Sequence, residues 1–112
     1  MDINYKQEKN IGIVKIGGKL VASNSNDLKT FFQSSLEKTV NFVFDLSEMD
    51  FIDSTGLGAL VSCLKKAMEA SGDIYIANLA TKPRLVFEMT RAYKIFTVFD
   101  DVKTSMEAFE SK

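Results

Sequence analysis

Two periods of apolar spacing divide the chain into its elements. Ile11, Ile13, Val14 and Ile16 form a β-branched, loosely alternating run that predicts a strand. Ile3–Lys6 predicts a shorter strand before it, with Lys9-Asn10 in the hairpin turn, and Gly17-Gly18 is expected to end the pair. Leu28, Phe31, Phe32 and Leu36 then recur at helical spacing. The polar run 23–27 offers several N-caps for that helix, which is expected to reach about Lys38. Residues 40–46 are nearly continuous apolar β-formers, the mark of a strand covered on both faces, and 47–53 reads as a connecting loop. From Ser54 onward, Leu57, Leu60, Val61, Leu64 and Met68 keep the spacing of one buried helix face, with Gly72 as the stop. Residues 74–77 predict a further strand. Thr81-Lys82-Pro83 opens a third helix, with the proline where its missing N–H costs nothing, and Val86, Met89 and Tyr93 are expected on its inner side. Residues 95–98 predict the last strand, and Val102, Met106 and Phe109 the apolar stripe of a terminal helix. One hairpin followed by alternating units gives an α/β fold: a mixed, mostly parallel sheet of about five strands with about four helices.

Composition removes several functions. The 112 residues amount to one domain, 1–112, with a single core. The chain has no histidine, which excludes Ser-His-Asp and Cys-His nucleophilic machinery and any imidazole metal site. Cys63, the one cysteine, closes no internal disulfide and builds no Cys-rich zinc site. With 14 basic and 15 acidic residues, the net charge of −1 gives no overall footprint for nucleic acid or an anionic membrane. The first residues are polar and carry no apolar leader, and the longest uncharged run, Ser54 to Leu64, falls short of the roughly 20 apolar residues of a membrane span. The expectation is a cytoplasmic chain without membrane insertion, cofactor or metal, whose function sits in hydroxyls, carboxylates or a binding surface.

Charge is distributed less evenly than its total. Between Thr39 and Leu64 stand Asp45, Glu48, Asp50 and Asp53 and no base. At the centre of that window runs Asp53-Ser54-Thr55-Gly56-Leu57-Gly58. Ser54 lies where a loop meets a helix N-terminus. A hydroxyl there can cap the helix, and an anion carried on it would meet free backbone N–H groups and the positive end of the helix dipole. Gly56 and Gly58 leave the first turn bare at a cost of about 1 kcal/mol each against alanine. Such a cost points to close approach, by neighbouring backbone or by a partner.

The stretch Phe44-Asp45-Leu46-Ser47 through Phe51-Ile52-Asp53-Ser54-Thr55-Gly56-Leu57-Gly58 resembles the signature of STAS domains, in particular the bacterial anti-sigma factor antagonists. The element order fits that fold over essentially the whole chain. The resemblance implies a phosphorylation site at Ser54 and a partner switch without catalytic residues. The unphosphorylated protein would bind an anti-sigma factor that is also a serine kinase of GHKL type, phosphorylation would release it, and a PP2C-type phosphatase would reset it. The implied partner surface comprises Asp53, Ser54, Thr55, Gly56, Gly58, Ser62 and Lys66, bordered by Ser23, Asn24 and Asn26, on a protein that is a monomer when free. One position departs from the family pattern. Gly18-Lys19-Leu20 is followed by Val21, where many antagonists carry an acidic residue, and this bears on partner and kinase choice. The alternative is a constitutive STAS accessory or scaffold subunit of a transport or stress-signalling complex.

The remaining motifs read as structure. Gly56-x-Gly58 lacks the third glycine of a dinucleotide fingerprint, and Gly17-Gly18-Lys19 lacks the spacing of a P-loop. Asp45, Asp50 and Asp53 read as solvated loop acids rather than a magnesium site. Lys82, Arg84, Arg91 and Lys94, interrupted by Glu88, read as a solvated face. Cys63 and the nine phenylalanines are expected in the core.

Overall fold

A computed structural model describes residues 1–112. Strands β1 (Asp2–Glu8) and β2 (Ile11–Leu20) form an antiparallel hairpin with Glu8 opposite Ile11, and the two-residue turn is made by Lys9 at φ 57° and Asn10. There follow α1 (Ser25–Ser35), β3 (Asn41–Asp45), β4 (Met49–Ile52), α2 (Ser54–Glu69), β5 (Asp73–Ala77), α3 (Thr81–Met89), β6 (Thr97–Phe99) and α4 (Val102–Glu110), with one 3₁₀ turn at Ala92–Lys94. The sheet has six strands, ordered β1-β2-β3-β5-β6, with β4 paired to β2 off that path; every pairing but the hairpin is parallel.

Strand alternation splits the core in two. Val14, Ile16, Phe42, Phe44, Ile74 and Ile76 point to one face, where Leu28 and Phe32 of α1, Leu57, Leu60 and Leu64 of α2, and Phe87 of α3 cover them. Ile11, Val43, Tyr75 and Ala77 point to the other, covered by Phe109 of α4. Residues 42–44 are therefore buried on both faces, as their unbroken apolar run predicts.

Four expectations fail for identifiable reasons. First, Gly17-Gly18 does not end β2. Gly18, at φ 78°, redirects the strand, which leaves β3 and pairs with β4 through a register shift at Gly18/Lys19. Second, the presumed loop 47–53 therefore contains a strand, β4, whose Met49 and Ile52 are buried while Asp50 and Phe51 are exposed. Third, Met68, Met89 and Tyr93 are exposed, and α3 instead buries Pro83 and Phe87 with Val86 partly covered. Fourth, the left-handed residue that stops α2 is Ser71 (φ 68°). Its N–H donates to the Met68 carbonyl while the Gly72 N–H donates to that of Ala67, a Schellman ending. The last strand also starts two residues later than expected, at Thr97, and α1 ends at Ser35.

Candidate functional site at the start of helix α2

The N-terminus of α2 is fixed by Asp53 and not by Ser54. Asp53 is the N-cap residue, and its Oδ1 accepts the Gly56 N–H at 2.7 Å. Its Oδ2 accepts the Ala22 N–H at 3.1 Å, and its own N–H donates to the Leu20 carbonyl at 3.3 Å. One carboxylate thus ties the helix start to the β2–α1 loop. The capping role that sequence reasoning allowed to the Ser54 hydroxyl is filled by its neighbour. Ser54, the first helical residue, is exposed and joins none of these bonds.

The two glycines of the motif have different causes. A Cβ on Gly56 would collide with the Leu20 carbonyl, so glycine lets α2 press against the end of β2. A Cβ on Gly58 would meet nothing within 4 Å. The fold therefore requires the first glycine and leaves the second without an internal reason.

Helical spacing aligns Ser54, Gly58, Val61 and Lys65 along one outward stripe of α2. Beside it Gly58, Val61, Ser62, Lys65, Lys66 and Glu69 line a shallow trough of about 390 Å³. Gly58, Ser62 and Lys66 from the sequence-based surface line this trough, while Lys65 and Glu69 were missed. Val61, expected on the buried face, is half-buried: it packs against the core and still borders the trough. Extending the i, i+4, i+11 spacing outward from Ser54 would have found Lys65.

The β2–α1 loop sits beside this end of α2 through the Ala22–Asp53 bond. Asn24 closes the loop on itself: its Oδ1 accepts from Val21 N–H and its Nδ2 donates to the Lys19 carbonyl. Ser23 is exposed next to it, and Thr55 is exposed beside Ser54. Asn26 is exposed in the first turn of α1, and no bond ties it to α2.

Asp45, Glu48 and Asp53 of the acidic window take separate bonding partners. Asp45 accepts from Ser47 N–H and Asn78 Nδ2, Glu48 pairs with Lys15 at 2.9 Å, and Asp53 is taken up by the cap. No cluster of three His, Cys, Asp or Glu side chains forms a metal-holding group. No helix is long and apolar enough to cross a membrane. Cys63 is buried, and that burial pushes its thiol up to about 12.

Fold and site together define a small one-sheet α/β domain that presents a capped helix start with an exposed serine. The chain belongs to the STAS domain family, whose family model matches residues 2–105. A curated relative, the anti-sigma F factor antagonist of Paenibacillus polymyxa, is 19% identical over 98% of this chain and 96% of its own. Among solved structures, the Thermotoga maritima protein tm1081 superimposes with a TM-score of 0.88 at 22% identity, covering 95% of this chain and 92% of that one. The Bacillus cell fate determinant SpoIIAA in its phosphorylated form gives 0.73 at 11% identity, over 96% of this chain and 99% of that one. The murine anion transporter Slc26a9 matches through a part of its length: TM-score 0.80 at 14% identity, over 96% of this chain and 19% of the transporter.

Proposed function

We propose that this STAS domain is an anti-sigma factor antagonist that switches partners by phosphorylation of Ser54. Unphosphorylated, it binds a serine-kinase anti-sigma factor of GHKL type through the start and outward stripe of α2. Phosphorylated, it is released, and a PP2C-type phosphatase restores it. In the transfer step Ser54 Oγ bonds to the γ-phosphorus of ATP, the β–γ bridge breaks, ADP leaves, and the hydroxyl proton passes to a base of the kinase. The domain itself supplies no base and catalyses nothing. It works in the cytoplasm and is a monomer when free.

The observation that carries this reading is the division of labour between adjacent residues. Asp53 caps the helix, which leaves the Ser54 hydroxyl exposed and unbonded at the head of an outward stripe. Gly58 keeps that stripe bare without any internal packing reason. A phosphate on Ser54 adds about −1.5 to −2 charges beside Asp53. The free N–H groups at the helix start and the helix dipole offset part of this in the free protein. A partner seated over Ser54 would have to bury the charge, at a cost of about 3–5 kcal/mol, or a factor of about 10² to 10³ in affinity.

Incubation of the purified protein with ATP and the serine kinases of its source, followed by mass spectrometry, is expected to map one phosphate, at Ser54. Ser54→Ala should stay bound to the anti-sigma factor. Ser54→Asp should lose it while keeping the native circular dichroism. Undiminished binding by Ser54→Asp would establish the constitutive scaffold instead.

A further inference from the structure

The segment after β5 carries a surface that the α2 switch does not use. Residues 81–99 hold four cations and one acid, Glu88, within a chain whose net charge is −1. All four cations, Lys82, Arg84, Arg91 and Lys94, are exposed, and none enters an ion pair. Arg84 is held in place by one bond, Nη2 to the Leu79 carbonyl at 3.2 Å.

Among these cations lie four of the six large hydrophobics that the protein leaves in water: Leu85 (55% exposed), Met89 (83%), Tyr93 (49%) and Ile95 (54%). Leu85 and Met89 are one helical turn apart on the outward side of α3, opposite buried Pro83 and Phe87. Tyr93 lies beyond them in the 3₁₀ turn, which follows Arg91 at φ 62°. The helix packs inward on β4, the strand that leads into Asp53 and Ser54.

We propose that this face of α3 and the following turn adsorbs to an anionic lipid bilayer. Unpaired cations beside exposed aliphatic side chains and a tyrosine match the two attractions of an interfacial helix, to acidic headgroups and to the acyl boundary. Charge and exposure together favour a bilayer. Leu85 and Met89 stand more than half exposed on the outward side of α3, in a segment whose four cations have no ion-pair partner within the protein. A fluid headgroup layer accepts protruding side chains without a matching cavity. The near-neutral total argues against attraction to membranes only while the charges are averaged. This adsorption is independent of the phosphorylation reading, since it uses neither Ser54 nor the α2 stripe.

The test is flotation of the intact protein with vesicles of phosphatidylcholine alone and of phosphatidylcholine with phosphatidylglycerol, at low and high salt. Binding is expected to the anionic vesicles only, and to fall steeply at high salt. Arg91→Gln and Lys94→Gln should each weaken it about fivefold, by the loss of one cation near the surface. The double variant Leu85→Gln/Met89→Gln should weaken it at least about tenfold through lost apolar contact. Both side chains are exposed, so the fold should be kept, with circular dichroism as the check. Absence of binding to anionic vesicles at low salt would overturn the proposal. So would binding that the Leu85/Met89 variant leaves unchanged, or retention on soluble polyanions such as heparin without vesicle binding.

Discussion

Asp53 and Ser54 are adjacent polar residues with different structural roles. The carboxylate takes the cap and the loop anchor, and the hydroxyl is left to the solvent. The pattern located this pair, but could not say which member caps, because both residue types are good N-caps and the choice depends on where Ala22 and Gly56 present their N–H groups. The glycines give a sharp test of the same division. Gly56→Ala forces a methyl group into the Leu20 carbonyl and should destabilise the fold by about 1–3 kcal/mol in chemical denaturation. Gly58→Ala enters open space and should raise stability by up to about 1 kcal/mol, while weakening the bound partner. Full partner affinity in a stabilised Gly58→Ala protein would remove this position from the interface. Cys63 offers a further check. With its thiol pushed up to about 12 by burial, alkylation at pH 8 should be slow in the native protein and fast in denaturant.

At the scale of elements, strands and helices with a clean period were legible, and those shaped by a neighbour were not. β3, buried on both faces, and α2, with its core stripe, announce themselves. β4 does not, since four residues with only their end positions buried carry no alternation, and the strand exists because Gly18 turns β2 toward it. Met89 and Tyr93 were misplaced because apolar spacing alone does not tell an inward stripe from an outward one. Helix α4, which covers its sheet face alone, gives an element-scale test. Its N-cap, Asp101, is held below the usual carboxylate range chiefly by the Thr104 backbone N–H at 2.7 Å. A carboxyl lowered in the folded state stabilises above its unfolded value of about 3.9 and loses that contribution as pH falls through the folded value. Acidification below about pH 4 should therefore loosen α4. The stacked Tyr75–Phe109 pair, with centroids 4.0 Å apart, is a near-ultraviolet dichroism probe for this. Asp101→Asn, which keeps a capping oxygen without the charge, should flatten that acid response.

On the scale of the whole molecule, β2 joins the two parts of the design. Its first half is a central strand of the sheet, and its second half, through β4, sets the position at which α2 begins. The rigid sheet thus fixes Ser54, while nothing in the core depends on the serine hydroxyl itself. Phosphorylation should then change recognition and leave stability nearly untouched. Ser54→Asp is expected to unfold within about 0.5 kcal/mol of the wild type, as an exposed substitution does. The most direct measurement is a calorimetric titration of the serine-kinase anti-sigma factor with the unphosphorylated protein and with the protein phosphorylated at Ser54. Affinity should fall by about 10²-fold or more on phosphorylation with the circular dichroism unchanged. Equal affinity of the two forms would contradict a switch at Ser54.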